Sequence, residues 1–400
     1  MKTLLVVLAL SGCELFVDVP NATLASGSGG DAASACTEST TCVAPTPVCE
    51  TTNGACVECV LASDCSDPAR PFCAQNACRG CSIDAECPVS NVCLGGGSCA
   101  DPARVLYAST TGAGTACTLG SPCSFDTAIG QVSATSDIVK LAPGVYERPD
   151  QLSITRHTII TGEGATLHNA ATMLATLMFD VTAVDATFMR MRFDLVNASF
   201  QAFGVECLMN GKLTLDRVTM NGGYAAAYAS ACTLTIDRSQ FDGNNVYAVY
   251  SINSTLAITN SFITNNGNGS QGGMVLTSST GTIEHVTLAG NAPSSQVGGA
   301  GAIRCNDTGV AIRSSIIFGN ADPQVTGCNV TYSISDFAGT SNVAADPLYV
   351  APGTRDYHIQ ASSPAVGLAD PGSHVSHDYD GDLRPQPAGS MADSGADEIP

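Results

Sequence analysis

Four hundred residues carry 16 Lys and Arg against 36 Asp and Glu, a formal net charge of −20, and only 13% of the chain is charged. That balance excludes nucleic acid, whose phosphates need a basic face, and disfavours a bare polyanionic polysaccharide unless a divalent cation bridges the two. No apolar run reaches the 18 or so residues of a membrane-spanning helix, Trp is absent, and 40 glycines suit β-structure with many tight corners.

Met1-Lys2 followed by the apolar run Leu4–Leu10 reads as an export signal over residues 1–12. Leu10-Ser11-Gly12-Cys13 then resembles the bacterial lipobox, in which small residues thread the signal peptidase and the thiol accepts diacylglycerol. The resemblance implies a lipidated Cys13 and a membrane partner; Glu14 in the next position favours the outer membrane. One acyl chain binds marginally, at about 0.8 kcal/mol per buried methylene, whereas two or more anchor stably. The competing reading is an ordinary secretory signal cut within residues 22–26. Residues 13–35 end in a Gly/Ser/Ala tract and read as a flexible tether.

Residues 36–99 hold three modules of four cysteines: Cys36, Cys42, Cys49 and Cys56; Cys59, Cys65, Cys73 and Cys78; Cys81, Cys87, Cys93 and Cys99. Modules so small bury too little apolar surface to fold unaided. Two disulfides in each are expected, and a bridge closing a loop of about 15 residues contributes roughly 3 kcal/mol. Three pairings per module stay open. The C-x2-C pairs Cys56/Cys59 and Cys78/Cys81 have zinc-ligand spacing, but the stretch has no His and the signal implies an oxidising compartment. The modules resemble short Cys-rich repeats of bacterial surface lipoproteins, which implies rigid spacers.

A second repetition follows. "LDRVTMNGG" from Leu215, "IDRSQFDGN" from Ile236, "ITNSFITNN" from Ile258, "IEHVTLAGN" from Ile283 and "IRSSIIFGN" from Ile312 lie 21, 22, 25 and 29 residues apart. Five positions on, each copy has Met220, Phe241, Ile263, Leu288 or Ile317; four copies also place an Asn at 244, 266, 291 and 320. A degenerate copy begins at Phe188 with Phe193. Such periods mean a solenoid, since one coil cannot bury its apolar side alone and stacked coils can. Equivalent residues then lie about 4.8 Å apart. Asn and Gly are expected at corners for their tolerance of left-handed backbone. Longer spacings place loop insertions at 266–273 and 291–299.

With these repeats, residues 100–340 resemble a right-handed parallel β-helix of the pectin-lyase-like kind, an all-β fold. Sandwiches lack a repeat of this length, and propeller blades are longer. In this reading Ser124 caps a short helix through Phe125, Ile129 and Val132 that closes the first coil. Ile138, Val139 and Leu141 form the first strand. Residues 341–400, with "ADPLYV", "DYDGDLRP" and "ADSGADE", resemble the C-terminal segment called choice-of-anchor Q and read as a cap. Cys117/Cys123 would close a small loop, while Cys207/Cys232 and Cys305/Cys328 are about one coil apart. Eighteen cysteines then pair and Cys13 remains for the lipid.

The fold hosts lyases, glycosidases, esterases and adhesins alike, so side chains must decide. The Asp-Asp, Gly-His-Gly and Arg-x-Lys motifs of polygalacturonase-like enzymes are absent. The best constellation is Asp216-Arg217 beneath Asp237-Arg238, continued by Glu284-His285. Carboxylates about 5 Å apart can serve as the pair of a retaining glycosidase or hold calcium; a surface salt-bridge ladder is the favoured reading, with His285 a corner residue standing in for Asn. Tyr228 and Tyr250, 22 apart, stack either under sugar rings or as an internal aromatic ladder, and the structural ladder is the favoured reading. Asp378, Asp380 and Asp382 suggest calcium, the single cofactor implied, but with glycine at the fourth position rather than the sixth a loop-folding role is favoured. The expected function is non-catalytic: a lipid-anchored envelope protein offering an elongated β-surface to carbohydrate or to another surface. The alternatives are a polysaccharide lyase or glycosidase working in a groove, and a purely structural envelope component.

Overall fold

The computed structural model describes residues 36–39, 42–67, 70–148, 150–169, 177–195, 203–267, 272–292 and 300–399. The signal, Cys13 and the tether lie outside the described residues. Downstream of the cysteine modules the chain winds into a parallel β-helix of about seven turns with three faces. Sheet one contains Val105–Ala108, Ile138–Leu141, Thr158–Thr161, Asp185–Met189, Lys212–Asp216 and Thr233–Asp237. Sheet two contains Gly144–Arg148, Ala165–Asn169, Arg192–Asp194, Thr219–Asn221 and Gln240–Asp242, and two long strands, Thr255–Thr264 and Thr280–Ala289, bend from sheet one into it. Sheet three runs from Leu152–Ile154 through Phe179–Thr182, Phe203–Leu208, Ala225–Ser230, Tyr247–Ile252, Met274–Thr277 and Ile303–Asn306 to Val325–Thr326.

Alternation along each strand sends every second side chain inward, and parallel register sets coil on coil. Leu215, Ile236, Ile258, Ile283, Ile312 and Val330 form one column. Phe193, Met220, Phe241, Ile263, Leu288 and Ile317 form another. Both belong to one continuous buried core. Ser124 Oγ accepts the Thr127 N–H at 3.2 Å and caps the helix Phe125–Gly130. Phe125 packs edge-on against Tyr146 and Phe179 and closes the first coil.

The corners correct one expectation. Residues turning from sheet one to sheet two, Arg190, Arg217, Arg238, Asn260, His285 and Ser314, all have positive φ, between 45° and 53°. The repeating asparagines do not. In three of the four copies the left-handed residue is the glycine just before, Gly243, Gly290 or Gly319, and in the fourth it is Asn265. Asn244, Asn266, Asn291 and Asn320 recur for their amides. Each Oδ1 of the last three accepts the backbone N–H of the asparagine one coil below at 3.0 Å. Each side-chain N–H of the first three donates to the Oδ1 one coil above at 2.9 Å. Serines do the same at the other corners: Ser239, Ser261, Ser315 and Ser333 at one, Ser254 and Ser279 at the next. Three corners that must leave the sheet ladder therefore keep their buried amides satisfied.

Every cysteine module pairs first with third and second with fourth: Cys36–Cys49 and Cys42–Cys56, Cys59–Cys73 and Cys65–Cys78, Cys81–Cys93 and Cys87–Cys99. The solenoid holds Cys117–Cys123, Cys207–Cys232 and Cys305–Cys328. The third module is not a spacer. It docks on the outside of sheet one, where Asp84, only 3% exposed, receives Lys140 and Arg190. Arg190 also donates to the Cys93 carbonyl, and Tyr107 Oη to the Ser90 carbonyl at 2.7 Å. Val92 and Ala100 pack there on Val105, Tyr107 and Ile138.

The C-terminal segment does more than cap. Val343 continues the ladder over Ile334, but most of the segment lies along the outside of sheet two. Tyr357 and Ala396 pack on Phe262 and Ala289, the Ala396 N–H reaches Thr287 Oγ1 at 3.0 Å, and Arg355 pairs with Asp242. Two of the three faces thus carry covering chain among the described residues.

Candidate functional site

Asp216 sits directly beneath Asp237 on the outside of sheet one. Both line a cleft of about 350 Å³ between that sheet and Leu94 and Gly95 of the third module, with Arg238, Thr214, Thr187, Met189 and Ile159 completing it. The left-handed corner turns each arginine back over its neighbour. Arg217 Nη2 reaches Asp216 at 3.0 Å, Arg238 Nε reaches Asp237 at 3.0 Å, and Arg238 Nη2 spans to Asp216 at 3.5 Å. Thr259 Oγ1 and Asn260 Nδ2 donate to the other oxygen of Asp237 at 2.8 and 3.0 Å, and Arg217 Nη1 donates to the Ser82 carbonyl at 3.0 Å. With every carboxylate oxygen already accepting, the ladder serves to neutralise charge and to seat the cysteine module.

Glu284 lies two coils above Asp237 in the same column. It pairs with Arg313 at 3.2 Å, and Arg313 reaches Asp370 of the C-terminal segment at 3.5 Å. His285 is a corner residue sealed by that segment, its Nδ1 3.0 Å from the Asp393 carbonyl and its Nε2 2.9 Å from Ser373 Oγ. Burial, with Arg384 nearby, holds its pKa well below the usual imidazole value, so the ring stays neutral. Nδ1 therefore donates to the carbonyl and Nε2 accepts from Ser373. The structure brings Asp216, Asp237, Arg217 and Arg238 together and leaves Glu284 and His285 apart, beneath other chain.

Sheet three differs. Its outward column runs Glu206, Tyr228, Tyr250, Val275, Arg304. Tyr228 and Tyr250 lie 5.3 Å apart, and Tyr247 stacks on Tyr250 at 5.0 Å and 21°. Phe203 meets Tyr224 and Tyr228 at 5.5 Å each, and Tyr224 meets Tyr247 at 6.0 Å. The rings do stack on one another from coil to coil, but outside rather than inside: the inward positions belong to Ala227, Ala229 and Val249, and the five rings are half-buried on the outer surface. Small inner residues and large outer ones invert the usual pattern of a sheet. Crowding pushes the Tyr247 hydroxyl up to about 12, burial first and neighbouring tyrosines second. Burial and Asp180 push the Glu206 carboxyl up. Phe203, Tyr224 and Tyr247 were not singled out from sequence, although the 23-residue interval from Tyr224 to Tyr247 carries the coil period.

The suggested calcium residues do not converge. Asp378 is fully buried, its Oδ1 accepting the Gly381 and Asp382 N–H groups at 2.8 Å and its Oδ2 the Glu398 N–H at 3.0 Å. It folds the loop. Asp382 points to solvent, while Asp380 turns the other way to His358 Nε2 at 3.0 Å. Hydrogen bonding to Asp380, then to Asp356, lifts the His358 imidazole to about 9. The folded chain thus keeps a proton that the unfolded chain releases near 6.5, so this contribution is complete below 6.5 and lost as pH rises through 9. Thermal unfolding in chelator should show a melting temperature falling over that window, with a flatter slope in His358→Gln; equal slopes would contradict the assignment.

The chain matches no family model and no curated protein. Among solved structures it is similar to the pectate lyase Pel9A, with 15% identity over 74% of this chain and 96% of that one and a TM-score of 0.35. It is also similar to PfbA, a surface adhesin of Streptococcus pneumoniae, with 12% identity over 54% of this chain and 75% of that one and a TM-score of 0.30. The parallel β-helix assignment rests on the strand register itself.

Proposed function

We propose that this is a non-catalytic envelope protein, lipid-anchored through Cys13 at the outer membrane, whose third sheet binds carbohydrate or another surface. The observation that carries the reading is the cluster of five outward rings on the face that neither the third cysteine module nor the C-terminal segment covers. Tyrosines offer large, stiff contact area with a polar tip, the composition of protein binding surfaces. Glu206 beside the rings and the overall charge of −20 favour neutral or cationic glycans over uronates. Disulfides in every module and in the solenoid suit an oxidising compartment. The lipobox and the choice-of-anchor Q-like tail support the envelope location.

A second reading, a lyase or glycosidase, has one observation in its favour, the cleft over Asp216 and Asp237. Their saturation by arginine, threonine and asparagine donors argues against it. Glycan-array binding of the purified chain, with an assay for new reducing ends and unsaturated uronates, tests both. Binding without product is expected, with Tyr228→Ala/Tyr250→Ala costing at least about 2 kcal/mol, roughly 30-fold in Kd. Product release that Asp237→Asn abolishes, or binding indifferent to the tyrosine pair, would overturn the proposal.

A further inference from the structure

The outward column of sheet three is graded in charge. From the early coils upward it reads Asp180, Glu206, Tyr228, Tyr250, Val275 and Arg304, each in parallel register with the next. Two carboxylates lie at one end, aromatic rings in the middle and a guanidinium at the other, on rungs about 4.8 Å apart.

Like charges directly opposite each other on neighbouring strands repel. On sheet one the stacked pair Asp216 and Asp237 is answered by Arg217 and Arg238. The pair on sheet three has no such answer. Asp180 receives hydroxyls, Thr182 Oγ1 at 2.6 Å and Ser153 Oγ at 3.4 Å, and among the described residues no Lys, Arg or His pairs with Asp180 or Glu206. Arg304 stands four coils above Glu206, its Nε 3.0 Å from Asn306 Oδ1. The rings beside the acids add to the same field. Phe203, on the Glu206 strand, lies 5.5 Å from Tyr228 on the next coil, and the face of an aromatic ring attracts a cation. Carboxylates next to electron-rich rings are the surroundings that hold an ammonium group.

We infer that the glycan taken by sheet three is an extended oligosaccharide of amino sugars with free primary amines, lying along the solenoid axis. Its ammonium groups meet Glu206 and Asp180, and its sugar faces lie on Tyr228 and Tyr250. Arg304 sets its direction, because a second ammonium would be repelled there while a hydroxyl would be accepted. The net charge of −20 draws such a ligand toward the chain. This inference rests on the glycan reading of the face and adds the charge and direction of the ligand.

The test titrates the full chain in detergent with two β-linked pentasaccharides, one of glucosamine and one of N-acetylglucosamine, by calorimetry at low and high salt. The glucosamine form should bind at least about tenfold tighter at low salt, and its advantage should shrink as salt screens the charges. Glu206→Gln should remove that advantage, whereas Asp382→Asn, an exposed acid on the C-terminal segment, should keep it. The salt dependence decides the matter if Glu206→Gln fails to fold. Equal affinity for the two forms, an advantage indifferent to salt, or one that survives Glu206→Gln overturns the inference. So does binding of other arrayed glycans without the glucosamine form, and in each of these cases the glycan reading stands as long as Tyr228→Ala/Tyr250→Ala still abolishes binding. A chain that binds no glycan, whether or not it binds a protein surface, sinks both.

Discussion

Asp84→Asn should cost roughly 3–5 kcal/mol and release the third cysteine module from the solenoid. Asp84 faces two cations, Lys140 and Arg190, and all three side chains are nearly sealed from water. Asn keeps the acceptor for the Cys93 N–H, which Asp84 Oδ1 now takes at 2.9 Å, but removes the charge. Two cations are then left in a low-dielectric interior, and Arg190, whose Nε and Nη1 already lack hydrogen-bond partners, loses its salt bridge. Breaking one side of a buried pair costs far more than breaking an exposed one. Lys212 and Asp185 are the comparison, since both side chains are about half in solvent, and Lys212→Gln should cost about 1 kcal/mol or less. Denaturant unfolding measures both. Equal, small losses would mean that the module merely rests on the sheet.

Asn266→Ala is the second large effect, roughly 2–6 kcal/mol. The Asn266 Oδ1 accepts both the backbone and the side-chain N–H of Asn244, at 3.0 and 2.9 Å, and its own amide reaches the Phe241 carbonyl at 3.0 Å and Asn291 Oδ1 at 2.9 Å. Alanine leaves two buried donors of Asn244 without an acceptor in the middle of a stack, where neither neighbouring coil can close the gap. Each orphaned buried group costs about 1–3 kcal/mol. Asn245→Ala, which removes one long contact of 3.4 Å to the Gly222 carbonyl near the surface, should cost below about 1 kcal/mol. Thermal or denaturant unfolding distinguishes them, and a mild Asn266→Ala would mean that the ladder carries no load.

How much of this was legible in the chain depended on whether the cause was local and periodic. The column Ile236, Ile258, Ile283, Ile312 could be read because the interior of each coil admits only apolar side chains, so burial itself prints the period. The asparagines were visible at the right places for an incomplete reason: backbone tolerance explains Asn260 and Asn265, while Asn244, Asn266, Asn291 and Asn320 are selected by a hydrogen bond to the next coil. Tyr228 and Tyr250 were legible as a spacing and not as a surface, because inward and outward depend on the pleat and on the alanines between them. The fate of Asp216 and His285 was not legible. The chain that covers them arrives from far away, 135 residues for the Arg217 contact beside Asp216 and 108 for His285, and no local pattern encodes such contacts. The three aspartates within residues 378–382 look alike in sequence, yet one holds backbone, one faces water and one joins a histidine, a division set by which neighbours the loop meets.

The central claim is that covering chain closes two faces of the β-helix and leaves the tyrosines of the third in reach of a partner. Limited nitration of the folded protein, mapped residue by residue by mass spectrometry, tests it without any knowledge of the ligand. Tyr228 and Tyr250 should react early, while Tyr107 beneath the cysteine module and Tyr357, which the C-terminal segment packs against sheet two, at 6% and 7% exposure, should stay unmodified until the protein unfolds. Early modification of Tyr107 and Tyr357, with Tyr228 and Tyr250 protected, would contradict it.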